Sequence, residues 1–312
     1  MKKIVWLLMM VVMPMVANAA FSRNADLEDE DELLHRLDQY IARRDEFSSK
    51  KEKKLIRMKK KLNLTSGKRE RLSLYNQIYR EYYTYRYDSA MVYANRGLQL
   101  AEQLHDTYYI DLNKINRAAV LSTGGFYSQA EDLLLSLKPK DISPKLMQYY
   151  YYTLTWMYNY WGAFCERSEF KEEMQDKKRL YLAKTLEYMG NKQSALYYYL
   201  SGELEYLIHR TDKKVLGWYQ KALAASPIDS RVHASAAYCI ARYYQDNGQM
   251  DIYEKYLVKA AISDQICPLK ENLALQELST YLYNKDAKYA KRVSKYIYCS
   301  MEDAQFYNNR LR

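Results

Sequence analysis

The stretch Ala234-Ser235-Ala236-Ala237-Tyr238-Cys239-Ile240-Ala241-Arg242-Tyr243-Tyr244-Gln245-Asp246-Asn247-Gly248-Gln249-Met250-Asp251-Ile252-Tyr253-Glu254-Lys255-Tyr256-Leu257-Val258-Lys259-Ala260 reads as two helices with a glycine turn between them. Ala237, Ile240, Ala241 and Tyr244 are spaced by three, one and three, so they share one helical face. Tyr253, Leu257 and Ala260 repeat the spacing after the turn. Asn247-Gly248 marks the helix end, because glycine reaches the left-handed conformation without a steric penalty. Small residues let the paired helices approach closely, and the large ones fill the gap to a neighbouring pair.

The pattern recurs upstream. Tyr199, Gly202, Tyr206, Val215, Tyr219, Ala222 and Pro227 keep nearly the same offsets one unit earlier, and Ala118, Leu121, Gly125, Ala130 and Leu134 keep them again. Residues 74–104 and 274–297 follow more loosely. These positions resemble the tetratricopeptide repeat, in which a hairpin that cannot bury its own apolar face stacks on its neighbours. The resemblance implies a right-handed superhelix with ligands held on the concave wall. Tyr253 and Val215 stand where that motif usually has alanine, and the successive anchors Tyr199 and Ala237 lie 38 residues apart, against about 34 in the standard repeat. The array is therefore expected to be irregular.

Working outward, turn signals fall at Tyr87-Asp88-Ser89, Thr123-Gly124-Gly125, Pro139 to Pro144, Gly190-Asn191, Ser226-Pro227 and Cys267-Pro268. β-branched residues never dominate a window, so strand signals are absent. The expected fold class is all-α, an α-hairpin solenoid over 67–312. A long charged helix is expected before it, from Leu27 to Leu62 with a break near Phe47-Ser48-Ser49, within a charged segment over 20–66.

Residues 1–19 read as a signal peptide: Lys2 and Lys3, an apolar run from Ile4 to Val16, then Ala17-Asn18-Ala19. Export to the periplasm is the expectation. The formal charge of +10 is local rather than global, since residues 50–71 carry +9 of it. That argues against nucleic acid as a partner and for a solvated helix face, with an acidic partner or anionic lipid as the sharper reading. Cys165, Cys239, Cys267 and Cys299 are too few for a disulfide framework. Buried free thiols are the expectation, and if an oxidising compartment pairs any of them, Cys267 with Cys299 is the pair to test.

No metal, nucleotide or triad motif occurs, so neither cofactor nor catalysis is expected. The unusual stretch is Tyr149 to Trp161. There Tyr149, Tyr152, Trp156 and Tyr160 share one helical face, and Tyr151, Leu154, Tyr158 and Trp161 share another. A helix aromatic on two faces is sandwiched in a core, or it presents an aromatic wall. Tyr197, Tyr238 and Arg242 fall at groove positions of the repeat register, and Arg242 there suits a carboxylate. These seven residues are the candidate ligand groove. A protein or peptide is the expected partner, and a glycan stacked on Tyr and Trp is the second class. A third class, an all-α glycosidase, would need paired acids, for which Glu203 and Glu205 are the nearest.

Four segments carry a narrower resemblance: Tyr87 to Met91, Ser230 to Tyr238, Ala261 to Asp264 and Cys299 to Ala304. They are similar to exported, tyrosine-rich repeat proteins of Bacteroidota that form the periplasmic part of membrane-anchored regulators. That resemblance implies a sensing module and a membrane helix beyond Arg312.

Overall fold

The structure, a computed structural model, describes residues 29–165, 169–270 and 273–307. The expected signal peptide, residues 20–28 and residues 308–312 lie outside the described residues. Two helices, α1 (Glu30–Ala42) and α2 (Arg44–Leu64), come first. Three hairpins follow: α3 (Lys68–Tyr82) with α4 (Tyr87–Gln103), α5 (Thr107–Thr123) with α6 (Tyr127–Leu135), and α7 (Pro144–Phe164) with α8 (Phe170–Glu187). Three more complete the chain: α9 (Ala195–Ile208) with α10 (Lys213–Ala224), α11 (Arg231–Asp246) with α12 (Met250–Ile266), and α13 (Leu273–Lys285) with α14 (Ala290–Tyr307). The helices of each hairpin pack together, and each hairpin packs on the next. No strand occurs among the described residues. This is the all-α hairpin repeat that the sequence predicts.

The repeat positions do what their sizes require. Ala237, Ile240, Ala241, Leu257 and Ala260 are fully buried between α11 and α12. Gly248 and Gly125 sit at φ +72° and +82°, each ending the first helix of its hairpin. Gly202 is the tightest approach in the α9–α10 hairpin: a Cβ there would lie 2.6 Å from ring carbons of Tyr219. Gly202→Ala should therefore cost about 1–3 kcal/mol in a denaturant titration. Gly217, on α10, has nothing within 4 Å of its would-be Cβ. Gly217→Ala should move the other way and stabilise by about 0.5–1 kcal/mol, since helical glycine is entropically expensive.

The N-terminal segment differs from its expectation in two ways. The helix breaks at Arg43 (φ −101°, ψ 7°), not near Phe47. The first piece is also not a solvated helix. Leu33, Leu34, Leu37 and Ile41 form an apolar stripe, and α1 lays it on α12 in one cluster with Tyr253, Tyr256 and Tyr296. Charges flank the seam, where Asp38 accepts from Arg292 at 2.9 Å and Glu30 pairs with Lys285 at 2.8 Å. The break lets α2 turn to α3, with Leu55 and Leu62 buried and Lys54 bonded to Glu81 at 2.7 Å. Together α1 and α2 strap the last hairpins to the first.

The ends of the array also touch directly. Tyr307 donates from its hydroxyl to the Tyr83 carbonyl at 2.9 Å, and the Lys270 N–H donates to the Thr84 carbonyl at 3.2 Å. The rings of Tyr85 and Phe306 lie 5.0 Å apart. All four cysteines are free. Cys299 is buried near Arg44 and Asp303, while Cys267 ends α12 among Lys51 and Asp264, so the two thiols have separate surroundings.

Candidate interaction cleft

The aromatic face of α7 meets α5, and its Tyr149 reaches the Tyr79 hydroxyl of α3. Pro144 starts α7, as suits a residue without an N–H at the first helical turn. Tyr150, Tyr151, Leu154 and Tyr158 are buried, and Tyr151 and Tyr158 each stack on Tyr181 of α8. This is the sandwiched face. Tyr149, Tyr152, Trp156 and Tyr160 are half-buried on the other side. With Tyr83, Ala119, Ser122, Thr153 and Met157 they line a shallow cleft that encloses about 20 Å³. Arg231, from the start of α11, reaches across with its guanidinium 5.7 Å from the centre of the Tyr83 ring and 3.5 Å from the Tyr160 hydroxyl.

The four α7 residues are not equivalent. Tyr149 turns its hydroxyl inward and donates to Asn116 Oδ1 at 2.9 Å. Burial pushes its pKa up to about 12, against the opposing pull of its hydrogen bond with Tyr79. Asn116 in turn donates to Asn76 Oδ1 at 3.2 Å, so a buried amide layer anchors the floor. Trp156 is stacked at 6° on Tyr199 with centroids 6.2 Å apart, and the Lys178 ammonium lies 5.8 Å from its ring centre. Tyr152 and Tyr160 pack on its edges.

Behind Trp156 lies a buried charged layer. Glu203 of α9 accepts from Lys178 Nζ at 3.1 Å, from the Tyr219 hydroxyl at 2.8 Å and from Cys239 Sγ at 3.3 Å. Burial by itself would raise the pKa of Glu203. The Lys178 charge, the hydrogen bonds from Tyr219 and Lys178, and the nearby Arg242 outweigh it and hold the carboxyl below its ordinary value. The same carboxylate, with burial as the larger cause, keeps Cys239 and Tyr219 protonated well above their usual range.

Three of the expected groove residues lie away from the cleft. Tyr197, Tyr238 and Arg242 do not line it. Arg242 donates to the Tyr206 hydroxyl at 3.1 Å and lies over that ring at 5.2 Å, while Tyr206 donates to Asp246 at 2.6 Å. Its guanidinium is drawn into the charged layer rather than held out for a ligand carboxylate. Burial, and then the nearby Glu277 carboxylate, hold the Tyr238 hydroxyl protonated well above its usual range. Glu203 and Glu205, two residues apart on α9, project to different sides of the helix. Glu203 is spent on Lys178 and Tyr219, so these two acids do not assemble the pair that a glycosidase would need. Tyr83 and Arg231 complete the cleft without any sequence signal for it, since neither belongs to the aromatic run.

Residues 41–312 match the family described as the SusR N-terminal TPR domain. Among curated proteins, none matches the chain.

Proposed function

Since the chain belongs to the SusR N-terminal TPR domain family, we propose that it is a helical interaction module whose cleft at Tyr83, Tyr152, Trp156 and Tyr160 grips a protein or peptide partner. The observation that carries this reading is the coincidence of the aromatic face of α7 with the cleft between α3, α5 and α7. The space it encloses, about 20 Å³, is roughly room for one water and far below the about 300 Å³ of a ligand pocket. A partner would therefore lie on the exposed edges of the aromatic rings rather than enter a preformed pocket. The indole N–H of Trp156 is buried without an acceptor among the described residues. Such a donor costs about 1–3 kcal/mol. A stacked glycan fits less well, because Tyr199 already covers a face of the Trp156 ring.

The wider reading is that this module is the sensing part of a regulator, exported to the periplasm and anchored through a segment beyond residue 312. The signal-peptide pattern at 1–19 supports it. Peptides selected from a displayed random library on the wild-type chain test the cleft. Tyr152→Ala with Tyr160→Ala should weaken their binding by roughly tenfold or more, the loss of about 1.4 kcal/mol or greater. Equal affinity for wild type and variant would place the site elsewhere.

A further inference from the structure

The outer face of α2 carries a row of exposed cations with two exposed aliphatic side chains among them. Lys53, Ile56, Arg57, Lys60 and Leu64 are spaced three, one, three and four, which places them on one side of the helix, opposite the buried Leu55 and Leu62. No acidic residue interrupts the row. The lysines on its flanks are paired, Lys51 and Lys54 with Glu81 and Lys61 with Glu70. Lys53, Arg57 and Lys60 have no carboxylate within ion-pair distance among the described residues. Ile56 and Leu64 stand in the same row with 61% and 78% of their surface exposed.

We propose that this face binds an anionic lipid bilayer. Two features together choose that occupant. The unpaired cations complement a negatively charged headgroup layer. The two aliphatic side chains, held out of the core between them, have a destination only where charge gives way to hydrocarbon, as at the headgroup–acyl boundary. An acidic peptide would use the cations and leave Ile56 and Leu64 in water. The strap geometry makes the surface rigid, since the reverse of α2 is fixed to α3. The array would then be held with α2 against the bilayer, and the cleft is lined by other helices, so lipid binding and partner binding are separable.

The test is co-sedimentation of the chain with phosphatidylcholine vesicles, with and without phosphatidylglycerol. Binding is expected only to the phosphatidylglycerol vesicles, and it should fall steeply between about 50 and 500 mM salt as screening shortens. Lys53→Glu with Arg57→Glu and Lys60→Glu should weaken it by roughly tenfold or more. An equal reversal at the exposed Lys138, Lys140 and Lys145 should leave most of it intact. Ile56→Ser with Leu64→Ser should abolish whatever binding survives at the higher salt. Three results would overturn the proposal: equal binding to neutral vesicles, equal loss from both charge reversals, or binding of a polyglutamate peptide with no binding to any vesicle.

Discussion

Glu203→Ala should destabilise the chain by about 3–5 kcal/mol, the largest single effect expected here. The carboxylate is 8% exposed and so is Lys178. Removing it leaves an ammonium buried without its partner, and the hydroxyl of Tyr219 without its acceptor. The cost comes from those orphaned groups more than from the lost attraction. Lys178→Met with Glu203→Leu should therefore recover most of the loss, and the double-mutant cycle in urea measures the coupling. The same pair gives a pH signature. A carboxyl held below its unfolded pKa adds stability that is present above about pH 4.3 and is lost as pH falls through the lower folded value. In Glu203→Gln that part of the acid dependence should disappear. A loss on Glu203→Ala of less than about 1 kcal/mol would show that the layer is hydrated in solution.

Leu34→Ala and Leu37→Ala should each cost about 2–5 kcal/mol. Both side chains are fully buried, and their partners lie more than 200 residues away on α12 and α14. Asp38→Ala, in the same helix, is expected to do far less. Its contacts to Arg292 and Lys295 are a quarter to nearly half exposed, where ion pairs are worth about 0–1 kcal/mol. Burial rather than charge should hold the strap. Hydrogen exchange on the leucine variants should show α1 and α12 losing protection together. If α12 keeps its protection while α1 loses its own, the strap is an appendage and not part of the array.

The repeat core is legible in the sequence because close helix approach demands particular sizes at particular spacings. Gly202 against Tyr219 and Ala237 with Ala241 could hardly mean anything else. Turns without glycine or proline are harder. Tyr87-Asp88-Ser89 reads as a turn, yet α4 begins at Tyr87, because the chain turns at Tyr83 to Arg86, where Arg86 takes an extended conformation. The short link at His105, with φ +50°, carries no signal for the same reason. The stripe on α1 is visible, but its destination is not, since no local signal names a partner that distant in the chain. The cleft divides along the same line. Tyr152, Trp156 and Tyr160 follow from helical spacing on α7. Tyr83 and Arg231 arrive by tertiary packing. Repeat register gives Arg242 a groove position, and the structure sets its guanidinium on Tyr206 and near Glu203, away from the residues that line the cleft.

The most direct test of the cleft is a photo-crosslinking residue placed at Tyr160 in the native host, with the same residue at Tyr283, 73% exposed on α13, as the outer reference. The cleft account predicts a discrete adduct from position 160, lost when Trp156→Ala is added, and none from position 283. Adducts of the same mass and yield from both positions, or from 283 alone, would contradict it.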